Sequence, residues 1–224
     1  LVAGAAVAPC TVGASQALLA PGDASVAIGE TLVNASSYPA KEFPANIADQ
    51  DPATKYLNFG TDNTGFIITP IWGPSTIKRV QFTTANDDVQ RDPVNFKIYG
   101  TNDPITSVDN GTGDSENWEL IAEGDCQLPE DRLTAGPMID FANEKMYTSY
   151  KVLFVNVKDP THGHMQIGDV QFFETPSSEA YEGEWGILSI DDALAEPTGT
   201  IAFQLATKSN SDHTTTGDSV VFGG

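Results

Sequence analysis

The chain has 224 residues, of which 31 are acidic and 11 basic, so its formal net charge is −20 and its pI is about 4.1. A surface this acidic repels phosphate backbones and anionic membranes, so the composition argues against nucleic-acid binding. No run reaches the roughly 18 apolar residues that a membrane-spanning helix needs. The excess carboxylates either attract divalent cations or serve only to keep the protein in solution.

The chain opens with a stretch of small apolar residues, and we predict an apolar N-terminal arm over residues 1–24. The stretch could be the remnant of a signal sequence, although it has no basic segment of the kind that begins one. The two cysteines, Cys10 and Cys126, are too few for a zinc site. In an oxidising compartment they would form a disulfide between the arm and the core, and otherwise they would be two buried thiols.

The middle of the chain predicts β-strands, because apolar and polar residues alternate with a period of two between clusters of Gly, Pro, Asn and Asp. Ten of the eleven basic residues lie between Lys41 and Lys158, which sets this region apart from its flanks, and a break at residues 174–178 marks its end. We therefore predict a β-sandwich or barrel domain over residues 25–174. The predicted strands, in chain order, are residues 65–69, 76–83, 95–99, 118–122, 150–157 and 170–173.

The remaining residues, 175–224, predict an acidic, β-rich extension with three further strands at 185–190, 199–205 and 219–222. Three strands alone bury little core. They would pack back onto the sandwich or pair with another chain, and the exposed-looking strand at the end of the chain suggests self-association.

One stretch, residues 46–56, and five further motifs that follow it in order are similar to those of the discoidin family, also called coagulation factor V/VIII type C domains. The galactose-binding-like jelly roll of that family is shared by many bacterial carbohydrate-binding modules. The resemblance implies an all-β jelly-roll sandwich followed by the β-rich extension. The five further motifs are residues 80–87, 92–103, 117–122, 150–154 and 165–173.

The resemblance also implies a structural calcium in the first loop, since calcium takes six to eight oxygen ligands that include backbone carbonyls. Asp169 lies where the family usually has the longer Glu, and Gln50 lies where it prefers Gly, so these two positions depart from the pattern. The alternative is an Asp-rich turn whose side chains bond to its own backbone, without an ion. The predicted ligands are Ile47, Asp49, Asp51, Thr54 and Asp169.

A sugar site needs an aromatic platform and a few polar groups on exposed loops. Each candidate has a structural alternative: Trp72 as a cap on the sheet, Arg91 in a local salt bridge with Asp92, and the two histidines as a weak metal site. Trp118 is excluded, because its strand position predicts a core residue. The candidate ligand-binding residues are Trp72, Asn86, Asp88, Arg91, His162 and His164.

The sequence carries no Gly-x-Ser-x-Gly elbow, His-Glu-x-x-His, Walker loop or Gly-x-Gly-x-x-Gly, so we do not expect an enzyme. The prediction is a secreted or cell-surface binding module for a glycan or polysaccharide, with bound calcium. The alternative is a structural subunit of an extracellular surface layer or filament, assembled by strand pairing through its terminal segments.

Overall fold

The computed structural model describes residues 17–51 and 53–174. Within these residues the regular structure consists of ten β-strands and three short 3-10 turns, without an α-helix. None of the described residues forms a helix that could cross a membrane. The 3-10 turns are Pro44–Ala48, Val89–Arg91 and Pro160–His162. The strands are β1 (Ala24–Ile28), β2 (Tyr56–Asn58), β3 (Thr64–Thr69), β4 (Arg79–Phe82), β5 (Pro93–Thr101), β6 (Glu119–Asp125), β7 (Ile139–Asp140), β8 (Ser149–Val157), β9 (Met165–Ile167) and β10 (Val170–Phe173).

All strand pairs are antiparallel. A five-stranded sheet has the order β1-β3-β8-β5-β6, a three-stranded sheet has the order β10-β4-β7, and β2 pairs with β9. The all-β sandwich predicted from the sequence is confirmed.

Aromatic rings hold the two larger sheets together. Phe82 of the three-stranded sheet lies 5.1 Å from Phe96 and 5.9 Å from Phe154 of the five-stranded sheet, centroid to centroid. The rings of Tyr150 and Phe172 make a similar contact at 5.4 Å. These rings come from alternate positions of their strands, so the period of two in the sequence is the pattern that fills the core.

The six strands predicted within residues 25–174 are all present, with ends that differ by a few residues. Sequence reasoning missed β1, β2, β7 and β9. Three of these have only two or three residues, and β2 and β9 are buried throughout, so they show no alternation. Cys126 is buried. Its predicted disulfide partner, most of the N-terminal arm and the three C-terminal strands lie outside the described residues.

Candidate functional site

The outer face of the five-stranded sheet carries two side chains that strand pairing places side by side. Tyr99 of β5 lies directly opposite Lys151 of β8, and Ile67 of β3 lies opposite Lys151 on its other side. All three alternate with core residues, as Ile98 and Val152 show, so they point away from the core. The register of β8 between β3 and β5 therefore puts a lysine beside an aromatic ring on this face.

The connection between β5 and β6, residues 102–118, folds back across this face to the opposite edge of the sheet. There Gly111 forms a bridge with Ile28 of β1 and accepts a 3.0 Å hydrogen bond from the Gly29 N–H. Gly113 packs on the side chains of Ile28 and Ile67 with φ of +69°, and a Cβ at this position would lie 2.9 Å from the Ile28 side chain. Close packing and a left-handed backbone both require glycine here.

Glu116 stabilises this connection through hydrogen bonds with other residues of the same segment. Its carboxylate accepts hydrogen bonds from the N–H groups of Thr106 and Ser107, at 2.6 and 2.7 Å, and from the hydroxyls of both residues. Burial opposes ionisation, but these hydrogen bonds outweigh it and hold the pKa of Glu116 below its usual value. The loop is thus ordered by its own side chains.

At the end of the connection, Trp118 completes a group of four residues. The Lys151 ammonium lies 5.0 Å from the ring centroids of both Tyr99 and Trp118. It donates to the Gly113 carbonyl at 3.2 Å and to Asp114 Oδ1 at 3.0 Å, while Trp118 Nε1 donates to the same Gly113 carbonyl at 2.8 Å. The hydrogen bond from Lys151 holds the pKa of Asp114 below its usual value, so the pair is ionic.

These residues form part of the wall of an open cavity of about 700 Å³. That volume lies within the range of small-molecule binding sites, about 300–1,000 Å³. We call it the sheet-face pocket. Its chemically important lining residues are Glu30, Asp62, Tyr99, Asp114, Trp118 and Lys151.

The prediction that Trp118 is a core residue is wrong. Trp118 precedes β6 and is only partly buried, because it faces the sheet-face pocket rather than the space between the sheets. Sequence reasoning also missed Tyr99 and Lys151. Their alternation with Ile98 and Val152 places them on an outer face, but it does not reveal that β5 and β8 are neighbours.

Several of the predicted ligand residues meet at one end of the sandwich, where β5 begins and β8 ends. His162 Nδ1 lies 2.8 Å from Asp88 Oδ2, and Arg91 Nε lies 3.3 Å from the same oxygen. The hydrogen bond with His162 is the main reason that the pKa of Asp88 is lowered. Asn86 is exposed on the same loop. We call Asn86, Asp88, Arg91 and His162 the loop-end cluster.

Two details of the loop-end cluster differ from expectation. Arg91 pairs with Asp88 and not with Asp92, whose buried carboxylate binds Arg132 Nη2 at 2.7 Å. The two histidines have different partners, since His162 bonds to Asp88, whereas the His164 ring packs against Phe59 with centroids 5.4 Å apart. Within residues 17–51 and 53–174, no group of three or more His, Cys, Asp or Glu side chains is placed to hold a metal ion.

Trp72 lies in the connection between β3 and β4, at the other end of the five-stranded sheet from the loop-end cluster. It is 68% exposed and lines a separate depression of about 320 Å³ together with Leu18 and Glu174. It therefore belongs to neither the loop-end cluster nor the sheet-face pocket.

No family model and no curated protein matches the sequence. Solved structures do match the fold. The family 32 carbohydrate-binding module of Clostridium perfringens NanJ, solved with galactose, superposes with a TM-score of 0.51 at 11% identity, over 72% of this chain and 100% of that one. A second C. perfringens module, solved with GalNAc-β-1,3-galactose, gives 0.51 at 12% identity, over 70% and 99%. A third, from a family 31 glycoside hydrolase of C. perfringens, gives 0.50 at 13% identity, over 67% and 91%.

The fold is discoidin-like. The family resemblance stated from the sequence motifs is confirmed at the level of fold, since family 32 modules are discoidin-like, galactose-binding-domain-like sandwiches. Identities of 11–13% show the architecture and leave the ligand open.

The first loop of this discoidin-like domain gathers several oxygen atoms. Thr54 Oγ1 lies 2.8 Å from Asp49 Oδ2 and 3.1 Å from the Asp51 carbonyl. Burial first, and then the charges of Asp49 and Asp51, raise the pKa of Asp169 to about 6. These hard oxygens match the ligand chemistry of calcium. Ile47, the remaining predicted ligand, is fully buried in the turn before Asp49.

Gln50, which replaces the glycine preferred in discoidin domains, keeps the backbone conformation that glycine favours. Its φ is +61°, in the left-handed region. Its N–H donates to Asp169, and its side-chain amide donates to the Leu19 carbonyl at 3.3 Å. The substitution therefore leaves the turn intact.

Proposed function

We propose that this protein is a non-catalytic carbohydrate-binding module and that its glycan binds in the sheet-face pocket. The observation that carries the proposal is the group formed by Tyr99, Trp118, Lys151 and Asp114 in an open cavity of about 700 Å³. A sugar ring offers an apolar C–H face and a rim of hydroxyls. It therefore needs aromatic surface beside paired donors and acceptors.

The polar half of the pocket has capacity left for a ligand. Lys151 carries three N–H donors. Among the described residues, Gly113 and Asp114 engage two of them. The side chain of Asp114 is 69% exposed, so its carboxylate is accessible to a hydroxyl of the ligand. Lys151 itself is only 5% exposed, which fixes its ammonium before a ligand arrives.

Three further points support the proposal. The discoidin-like neighbours include modules solved with galactose and with GalNAc-β-1,3-galactose. No catalytic motif stands out in the sequence. A glycan-binding role also agrees with the extracellular or cell-surface location expected from the sequence.

We also propose that calcium braces the first loop, with oxygen ligands from the side chains of Asp49, Thr54 and Asp169 and from the backbone carbonyls of Ile47 and Asp51. What supports this is the oxygen-rich donor set and the shared negative charge around Asp169. The ion would offset the repulsion among these carboxylates. The experiment that tests calcium is given with Asp169 in the Discussion.

The test of carbohydrate binding is a glycan array that includes galactose- and N-acetylgalactosamine-terminated glycans, followed by calorimetry with the tightest binder. Trp118→Ala should weaken binding about 30-fold or more, since central aromatic anchors contribute about 2 kcal/mol or more. Trp72→Ala is the matched control and should bind as the parent does.

Two outcomes would contradict the proposal. If no glycan on the array binds at millimolar concentration, the carbohydrate-binding role is wrong. If Asp88→Ala or Arg91→Ala abolishes binding while Trp118→Ala does not, the glycan binds at the loop-end cluster and the assignment to the sheet-face pocket is wrong. The alternative assembly role depends on the terminal segments, most of which lie outside the described residues.

A further inference from the structure

The charges that line the sheet-face pocket are strongly unequal. The cavity has one basic lining residue, Lys151, and four acidic ones, so its formal charge is negative. The four carboxylates are those of Glu30, Asp62, Asp114 and Glu116.

Two of these carboxylates are already neutralised or fully hydrogen-bonded inside the protein. Asp114 is paired with Lys151 at 3.0 Å, and Glu116 accepts from Thr106 and Ser107. The charge of Lys151 is therefore committed to Asp114 and to the two aromatic rings beside it. It does not provide a free positive site for an acidic ligand.

The other two, Glu30 and Asp62, are exposed at the pocket, and neither forms an ion pair with another described residue. They come from different connections, Glu30 after β1 and Asp62 between β2 and β3. A uronate, sulfate or sialate group entering the pocket would meet uncompensated like charge, whereas a sugar ammonium would gain two opposite charges. The net charge of −20 on the whole chain acts in the same direction.

We infer that the sheet-face pocket selects glycans that carry free, protonated amino groups, such as oligomers of glucosamine, over their N-acetylated and uronic-acid counterparts. This inference rests on the proposed function, because it names the ligand class of the same pocket. Trp118 and Tyr99 bind the sugar rings, and Glu30 and Asp62 discriminate by charge.

The test is calorimetric titration of the full chain at pH 6 with three tetrasaccharides, which are the tetramers of glucosamine, of N-acetylglucosamine and of galacturonic acid. The glucosamine tetramer should bind on the order of tenfold more tightly than the N-acetylated one, and the galacturonate should bind most weakly. The preference should shrink to within about threefold at 0.5 M salt, because these are exposed charges.

The double variant Glu30→Gln/Asp62→Asn should lose the preference for the glucosamine tetramer over the N-acetylated one. The matched control is Asp131→Asn/Glu144→Gln, which removes the same charge from exposed carboxylates that do not line the pocket. It should keep the preference.

The outcomes separate this inference from the proposed function. Equal binding of all three tetramers that still depends on Trp118 would overturn the charge selection and leave carbohydrate binding in place. A preference that survives Glu30→Gln/Asp62→Asn would overturn the role of these two residues. Binding that Trp118→Ala leaves untouched would overturn the pocket itself.

Discussion

The protonation state of Asp169 makes the stability of the folded protein depend on pH. Its pKa is raised to about 6 by burial and by the charges of Asp49 and Asp51, against a value near 3.9 in an unfolded chain. Between these two values the folded protein binds more protons than the unfolded chain. The stabilisation from protonated Asp169 is therefore complete below about pH 4 and is lost as the pH rises through about 6.

We expect Asp169→Asn to be more stable than the parent at pH 7 in chelator, by about 1 kcal/mol once solvent screening of this partly exposed group is allowed for. At pH 4 the two should unfold alike. If calcium binds the loop, it should raise the melting temperature of the parent more than that of the variant, which lacks one anionic ligand.

Thermal unfolding of the parent and of Asp169→Asn at both pH values, with calcium and with chelator, measures these differences in stability. Asp62→Asn serves as an exposed-carboxyl control. Parent and Asp169→Asn curves that coincide at pH 7 in chelator would contradict the pKa argument. Equal melting of the parent with calcium and with chelator would remove the calcium proposal.

At the scale of elements, residues 102–118 matter most, because this connection forms one wall of the sheet-face pocket. It is fixed at its far side by the Gly111 bridge to Ile28 and internally by the bonds to Glu116. Trp118 and Asp114 both belong to it. The position of half of the proposed binding group therefore depends on the order of a segment that has no regular secondary structure.

Glu116→Ala should lower the free energy of unfolding by about 2–3 kcal/mol, because it leaves the N–H groups of Thr106 and Ser107 without their acceptor in a partly buried loop. Glycan affinity should fall as well, because the connection that Glu116 stabilises carries Trp118 and Asp114. Glu116 itself is not expected to bind the glycan, since its carboxylate is already hydrogen-bonded within the connection.

Urea unfolding gives the stability change, and hydrogen exchange at Thr106 and Ser107 reports the loop directly. Glu123→Ala is the control, since Glu123 makes an exposed ion pair with Lys97 and should show no measurable change. Unchanged exchange at the two amides in Glu116→Ala would show that Glu116 does not hold the loop.

On the scale of the whole molecule, the sandwich depends on rings that reach across from one sheet to the other. Phe82 is the clearest case, because it belongs to β4, the central strand of the three-stranded sheet, and contacts both Phe96 and Phe154. It is fully buried. The packing of the two sheets against each other therefore depends on this side chain.

Phe82→Ala should destabilise the protein by about 3–5 kcal/mol, through lost burial and the cavity left between the sheets. Phe43→Ala removes the same side chain from a position that is 40% exposed and should cost far less. Chemical denaturation of both variants provides the comparison. Similar losses in the two variants would mean that the ring contacts of Phe82 are not central to the sandwich.

The strands with clear alternation, such as β5 and β8, can be predicted from the sequence alone, as can the acidic surface. The order of discoidin-like motifs predicted the sandwich. These are local properties, since alternation assigns each side chain to a face and motif order follows the chain. The sequence also placed Asp88, Arg91 and His162 among the candidate residues, and the fold brings these three together.

The sheet-face pocket, by contrast, becomes visible in the folded chain and not in the sequence. Tyr99 and Lys151 are about fifty residues apart, and they meet because β8 inserts between β3 and β5, a pairing that alternation does not encode. The strand-like run that contains Trp118 predicts a core residue, yet the fold of residues 102–118 turns this side chain toward the outer face. A period of two fixes which face a residue occupies within its strand, whereas the partner strands and the path of the connection depend on the packing of the whole sandwich.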